Sequence, residues 1–104
     1  MKPNKHILLI VLLAILAPNL LLAQAWAGKG RAEGLVVDRQ GQPIEGAQVT
    51  LRPASSPDDG PEPLTTNKKG RWGYLGLTGG IWAVTIDADG YMTSRGQMQV
   101  NEFD

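Results

Sequence analysis

Cysteine is absent from the sequence, and histidine occurs once, at His6. The missing thiols exclude a disulfide framework and a thiolate zinc site. An excess of positive charge is also lacking, because ten Lys and Arg residues balance ten Asp and Glu residues. This balance excludes a strongly basic nucleic-acid-binding protein. A chain of 104 residues has room for one domain.

Turn-forming residues, by contrast, are abundant. The sequence has 13 Gly and 7 Pro, more than a helical bundle would accommodate. Hydrophobic residues make up 42 %, which is typical of a globular protein. After residue 28, no window repeats apolar residues at the 3.6-residue period of an amphipathic helix. The composition therefore predicts short strands separated by turns.

The first 27 residues resemble a secretory signal peptide in their order of charge, apolar residues and small residues. Lys2 and Lys5 precede an apolar run at residues 7–17, and small residues accumulate before residue 28. This is the arrangement of a signal sequence followed by its cleavage site. We expect a signal helix over residues 1–27, a mature domain over residues 28–104, and a periplasmic or extracellular location.

Two cleavage frames compete at the end of this segment. Ala23 and Ala25 form one A-x-A motif, and Ala25 and Ala27 form the other. The second frame is preferred, because in the first Leu22 lies directly against the motif. An uncleaved anchor is the alternative, since 21 residues from 7 to 27 are long enough to span a bilayer. Pro18 would interrupt that helix, so membrane contact is expected only before cleavage.

Nothing in the mature chain favours an enzyme. Cleavage after residue 27 removes Lys2, Lys5 and His6 and leaves a net charge near minus two. Nucleophilic catalysis lacks a histidine base and a cysteine nucleophile. The pair Asp87 and Asp89 is the one arrangement that suggests acid–base chemistry, and it is better explained as surface and turn. We expect no catalytic residue, no metal and no cofactor.

Six or seven short segments after residue 31 show the two-residue alternation of strands. The alternation places Val36, and then Ala47, Val49 and Leu51, on inward faces. The alternation also places four aromatic side chains, and the aliphatic side chains of the last strands, on inward faces. The predicted strands are residues 32–38, 47–51, 64–66, 71–75, 81–88, 91–93 and 97–100, and the inward aromatic residues are Trp72, Tyr74, Trp82 and Tyr91.

Turn motifs separate these segments. Asp38 and Asn67 each precede a glycine by three residues, and the side chain of Asp or Asn accepts hydrogen bonds from the turn backbone. Asp89-Gly90 is a third turn. Strands at about ten-residue spacing with such turns predict a small all-β, antiparallel, immunoglobulin-like sandwich of about seven strands.

Glycines, apolar residues and turns recur in a fixed order along the mature chain. The order is Gly34-x-Val36-x-Asp38-x-x-Gly41-x-Pro43-Ile44-x-Gly46-Ala47-x-Val49-x-Leu51, then Thr66-Asn67-x-x-Gly70-x-Trp72-x-Tyr74-x-Gly76-Leu77-x-x-Gly80-x-Trp82-x-Val84-x-Ile86, then Gly90-Tyr91. This order resembles the carboxypeptidase regulatory-like domain over about residues 31–101. The resemblance implies a transthyretin-like sandwich of about seven strands without catalytic residues, usually appended to other domains. Asn67 stands where Asp is usual in that family, and Trp72 and Trp82 stand where Phe and Tyr are commoner.

The proline-rich stretch at residues 52–63 is the most unusual part of the mature sequence. Four prolines in twelve residues cannot form a central strand, so we expect an exposed loop that presents proline and carboxylates to a partner. A calcium site there is disfavoured, because the spacing does not match an EF-hand. Copper binding by Met92 and Met98 lacks a third ligand. The partner-facing residues are Pro57, Asp58, Asp59 and Glu62.

The function expected from the sequence is that of an exported, non-enzymatic module that binds or scaffolds another envelope protein. An open sheet edge or the proline-rich loop would contact that protein. The alternative is a carbohydrate or small-ligand binder, for which Trp72 or Trp82 would have to be exposed. A hydrolase would require two carboxylates that converge in one pocket.

Overall fold

The computed structural model describes residues 25–103, and within them every regular element is a strand. The predicted signal helix lies outside these residues. Six strands are present where about seven were expected, in addition to an isolated bridge between Val37 and Pro43. The strands are β1 (Ala27–Leu35), β2 (Gln48–Pro53), β3 (Leu64–Thr65), β4 (Arg71–Leu77), β5 (Gly80–Asp87) and β6 (Ser94–Val100).

The strands form two antiparallel sheets. One sheet contains β1 and β4, and the other has the order β3-β2-β5-β6. Both sheets contribute to one core, so the fold is a β-sandwich. The buried core residues are Ala32, Val36, Ala47, Val49, Leu51, Trp72, Leu77, Trp82 and Val100.

The inward face of β2 agrees with the predicted alternation. Ala47 and Val49 are fully buried, and Leu51 is 1 % exposed. Trp82 lies on the neighbouring strand β5, where its register partner is Pro53, and is also 1 % exposed. Its indole Nε1 donates a hydrogen bond to the Thr78 carbonyl at 2.9 Å, so the polar end of the ring is satisfied inside the core.

Two turns have the same hydrogen-bond pattern, as their sequences predicted. Asp38 Oδ1 accepts hydrogen bonds from the backbone N–H groups of Gln40 and Gln42, both at 2.9 Å. Asn67 Oδ1 accepts the equivalent bonds from the two corresponding residues of its own turn, Lys69 and Arg71. The glycines that close these turns, Gly41 and Gly70, have φ of 82° and 74°, a conformation that other residues rarely adopt.

The end of β2 differs from the prediction, because Arg52 and Pro53 belong to the strand. The N–H of Ala54 donates to the Ile81 carbonyl at 2.9 Å, and Pro53 lies opposite Trp82. In an antiparallel ladder the main chain of alternate residues faces the partner. The imino nitrogen of Pro53 therefore faces away from β5, and the strand continues without losing a ladder bond.

Tyr91 also differs from the prediction, since it is 53 % exposed and lies outside any strand. The N–H of Tyr91 donates to the Ala88 carbonyl, which closes the turn around Gly90. The chain re-enters the sheet only at Ser94. Tyr91 lines a surface pocket with Val37 and Met92 and does not fill the core.

Candidate functional site: the open edge of the four-stranded sheet

The two edges of the four-stranded sheet differ in length. β3, at one edge, has two residues and follows Pro61 and Pro63. β6, at the other edge, has seven residues and contains no proline. Long edge strands without proline or inward charges are templates for further strand pairing. The surface formed by β6 is here called the β6 edge.

The register shows which main-chain groups of the β6 edge are free. The carbonyl of Ile81, in β5, accepts a hydrogen bond from the Ala54 N–H directly after β2. The main-chain groups of Ile81 therefore face β2. Residues of an antiparallel strand alternate in the direction of their main-chain groups, so the main-chain N–H and C=O groups of Trp82 and Val84 face β6. Their register partners are Met98 and Gly96.

The intervening residues of β6 therefore point their N–H and C=O groups outward. These residues are Arg95, Gln97 and Gln99, and all three are exposed. Among residues 25–103, β6 pairs with β5 alone, and Arg95 and Gln97 make no other backbone hydrogen bond. The edge thus presents a row of unpaired donors and acceptors to solvent.

A carboxylate just after the C-terminal end of β6, on Glu102, links three segments of the fold. No pattern in the sequence identified this residue. Glu102 accepts hydrogen bonds from the Lys29 N–H at 2.9 Å and from the Gly79 N–H at 3.0 Å. The bond from Lys29, followed by that from Gly79, lowers the pKa of Glu102 below its ordinary value. Glu102 joins the start of β1, the turn before β5 and the end of β6.

The proline-rich loop is folded back on the sandwich, whereas the sequence suggested an extended presentation. The N–H of Ser56 donates to the Pro53 carbonyl, and the N–H of Asp59 donates to the Ser56 carbonyl, so two turns follow each other. Arg52 Nη1 donates to the Pro61 carbonyl at 3.0 Å and ties the loop down. The four predicted partner-facing residues, Pro57, Asp58, Asp59 and Glu62, are all exposed.

Asp87 and Asp89 both line a polar depression near the turn at Gly90. Asp87 accepts a hydrogen bond from the Thr93 hydroxyl, so this carboxylate is engaged within the surface. In the part of the chain that the structure describes, no group of three or more His, Cys, Asp or Glu side chains is suited to a metal ion. Of the two methionines, Met92 is 93 % exposed and Met98 packs against the core.

The aromatic side chains are distributed between the core and its margin. Trp82 and Trp72 are buried, at 1 % and 9 % exposure, and Tyr74 is half-buried. Together with the exposed Tyr91, they do not form a common flat surface. Neither Trp72 nor Trp82 therefore presents an exposed ring on which a sugar could stack.

The pattern of glycines, turns and inward residues in this sandwich is matched by a family model. The model of the carboxypeptidase regulatory-like domain matches residues 31–104. The chain belongs to this family. No curated protein is significantly similar to the chain. Within residues 25–103 of this carboxypeptidase regulatory-like domain, no helix is long and apolar enough to cross a membrane.

Two structural features of the domain carry no sequence signal of their own. Trp26 was assigned to the signal segment, yet it packs against the core. The β6 edge depends on which strand lies beside β6, and alternation within the strand does not reveal its neighbour. The sequence predicted only a short strand at residues 97–100, whereas β6 spans Ser94–Val100.

Proposed function

We propose that this carboxypeptidase regulatory-like domain is an exported, non-enzymatic module that binds another protein of the cell envelope by adding a strand of that protein to the β6 edge. The observation that carries the proposal is the row of outward main-chain groups at Arg95, Gln97 and Gln99. Strand addition takes its affinity from main-chain hydrogen bonds, and this edge offers them over several residues.

The β6 edge is better suited to strand addition than β3, the opposite edge of the four-stranded sheet. β3 is too short for an added strand to form more than one or two hydrogen bonds, and prolines precede it. At β6, the side chains of Arg95, Gln97 and Gln99 are polar and exposed, so this edge is compatible with contact with water when no strand is added. Each added hydrogen bond contributes about 0.5–1.5 kcal/mol, and several together are needed for specific binding.

The burial of the tryptophans favours this proposal over carbohydrate binding. A sugar-binding surface usually stacks a flat aromatic ring on the sugar, and the rings of Trp72 and Trp82 are enclosed in the core. The hydrolase alternative is also weakened. Asp87 and Asp89 line one polar depression, but the Asp87 carboxylate is engaged by the Thr93 hydroxyl. The absence of His and Cys after residue 6 supports a non-enzymatic role.

Site-specific photo-crosslinking tests the binding surface. A photo-crosslinking residue replaces Gln97 in the full chain, expressed in the cells that produce it. The matched control places the same residue at Glu45, which is exposed in a turn distant in sequence from β6. We expect one discrete adduct of higher mass from position 97 and only background from position 45.

Proline substitution tests whether the contact is made by the main chain. Arg95→Pro removes an outward N–H and leaves the ladder to β5 intact, whereas Arg95→Ala removes the side chain and retains the N–H. We expect Arg95→Pro to abolish the adduct and Arg95→Ala to retain it, with unchanged circular dichroism for both. Equal adducts from positions 97 and 45, or an adduct indifferent to Arg95→Pro, would contradict the proposal. An adduct with twice the mass of the chain would instead indicate self-association.

Export is tested separately by fractionation. The order of charge, apolar residues and small residues in residues 1–27 supports it. We expect the chain in the periplasmic or extracellular fraction, shortened at its N-terminus. A chain with intact Met1 in the cytoplasm would refute export without bearing on the β6 edge.

A further inference from the structure

Trp26 is an integral part of the folded domain. Its ring is half-buried against the core cluster and lies 6.2 Å from the ring of Tyr74, centroid to centroid, at an interplanar angle of 55°. The Trp26 carbonyl accepts a hydrogen bond from the Thr78 N–H at 2.9 Å. A tilted aromatic pair of this geometry stabilises a fold beyond the contribution of the area that it buries.

The two cleavage frames treat these contacts differently. Cleavage after Ala27 would remove Trp26 and also Ala27, which pairs with Leu77 in the first sheet. Cleavage after Ala25 retains both residues. The side of the Tyr74 ring that contacts Trp26 would be exposed to water in the first case and covered in the second.

The surroundings of residue 26 also suit a new N-terminus. A small cavity of about 80 Å³ is lined by Ala25, Trp26, Ser55, Ser56 and Asp59, among others. Cleavage after Ala25 removes one lining residue and creates an ammonium group on Trp26, another of the lining residues. The carboxylate of Asp59 and the two serine hydroxyls are groups that attract or accept hydrogen bonds from an ammonium.

We propose that the signal segment is cleaved between Ala25 and Trp26, and that Trp26 is the first residue of the exported domain. This inference rests on the proposed export of the chain. It selects the Ala23/Ala25 frame, whereas the position of Leu22 had favoured the Ala25/Ala27 frame. The first residue left by cleavage then covers the margin of the hydrophobic core.

The experiment uses the full chain, exported by a bacterial host and examined by intact mass spectrometry and N-terminal sequencing. Signal cleavage requires small residues at the first and third positions before the cut. Ala23→Leu therefore blocks only the proposed frame, and Ala27→Leu blocks only the other. Ala27 is exposed in β1, so its replacement by leucine is compatible with the fold.

The expected product of the wild-type chain and of Ala27→Leu begins at Trp26. In Ala23→Leu this product should be lost, and the precursor should accumulate or be cut before Gly28 instead. A wild-type product that begins at Gly28, or loss of processing in Ala27→Leu, would overturn the choice of frame and leave export intact. An unprocessed wild-type chain that begins at Met1 would overturn export itself, and the cleavage site with it.

Discussion

Thr66 provides the most stringent test of how the turn into β2 is held against the chain that follows β3. Among residues 25–103 it is the buried polar residue, 3 % exposed, and it directly follows β3. Its hydroxyl accepts a hydrogen bond from the Ala47 N–H at 2.9 Å and donates one to the Ile44 carbonyl at 2.7 Å. One hydroxyl therefore satisfies both a donor and an acceptor of the turn that leads into β2.

Thr66→Val removes the hydroxyl and retains the shape of the side chain. The Ala47 N–H is then buried without an acceptor, at a residue with 0 % exposure, and an unsatisfied buried group costs about 1–3 kcal/mol. The Ile44 carbonyl also loses its donor, but Ile44 is half-buried, so this loss adds less to the cost in free energy. We expect a loss of about 2–3 kcal/mol out of a total stability of about 4–12 kcal/mol for a domain of roughly 80 residues.

Thr66→Ser is the matched control, because it retains both hydrogen bonds and removes one methyl group. Its expected cost is about 0.8 kcal/mol. Urea unfolding followed by the fluorescence of the buried Trp72 and Trp82 measures both variants. The slope of the free energy of unfolding against urea should be the same for the wild type and both variants, since it reports the surface exposed on unfolding.

Two results would refute this reasoning. Thr66→Val could be as stable as the wild type to within about 0.5 kcal/mol, which would mean that water or a local shift satisfies Ala47. Alternatively, Thr66→Ser could lose as much as Thr66→Val. The lost methyl packing, and not the hydroxyl, would then account for the cost.

Three further predictions concern a close contact, a turn and a carboxylate. Gly34→Ala should cost about 1–3 kcal/mol in urea unfolding, because an added Cβ would lie 2.6 Å from Nε1 of Trp72. Gly96→Ala, with no heavy atom within 4 Å of the added Cβ, should be nearly neutral, and equal costs would contradict the packing argument. Asn67→Ala should cost about 1 kcal/mol and Asn67→Asp much less, measured in the same way; a cost for Asp equal to that for Ala would exclude the turn acceptor as the cause. Hydrogen bonds from the main chain lower the pKa of Glu102 below 4.5, so its stabilisation is present above that pH and is lost as the pH falls through the lowered pKa. As the pH is lowered, the thermal midpoint of Glu102→Gln should therefore fall less than that of the wild type. An unchanged dependence of the midpoint on pH would show that this carboxylate does not contribute.

Some features of this domain could be predicted because they depend on residues close in sequence. The turns at Asp38 and Asn67 form within five residues, so the side chain and the backbone that it bonds are neighbours from the start. The inward positions of Val49, Leu51 and Trp82 follow from the two-residue period of a strand. These local patterns were also sufficient for the family resemblance, which the family model over residues 31–104 confirms.

Other features could not be predicted, because distant segments create them. Pro53 remains in β2 because of the register between β2 and β5, and register is not a property of either segment alone. Tyr91 is exposed because the chain returns to the sheet only at Ser94. Glu102 bonds to Lys29, which lies 73 residues earlier, and no local pattern marks such a pair.

The candidate site shows the same division. The sequence drew attention to Pro57, Asp58, Asp59 and Glu62 because composition is visible there, but the tertiary structure folds that loop back through Arg52. The β6 edge is not visible in composition, since an edge is defined by the absence of a neighbouring strand. Export, the non-enzymatic role and the envelope partner remain predictions for the experiments above.

The sequence by itself determined the all-β class, the positions of the tight turns, the faces of the strands and the family. These properties follow from side-chain alternation and from hydrogen bonds between near neighbours. The tertiary structure alone decided the strand order, the open edge at β6, the burial of Thr66 and the inclusion of Trp26 in the fold. Each of these depends on contacts between segments that are distant along the chain, and such contacts exist only once the two sheets have packed together.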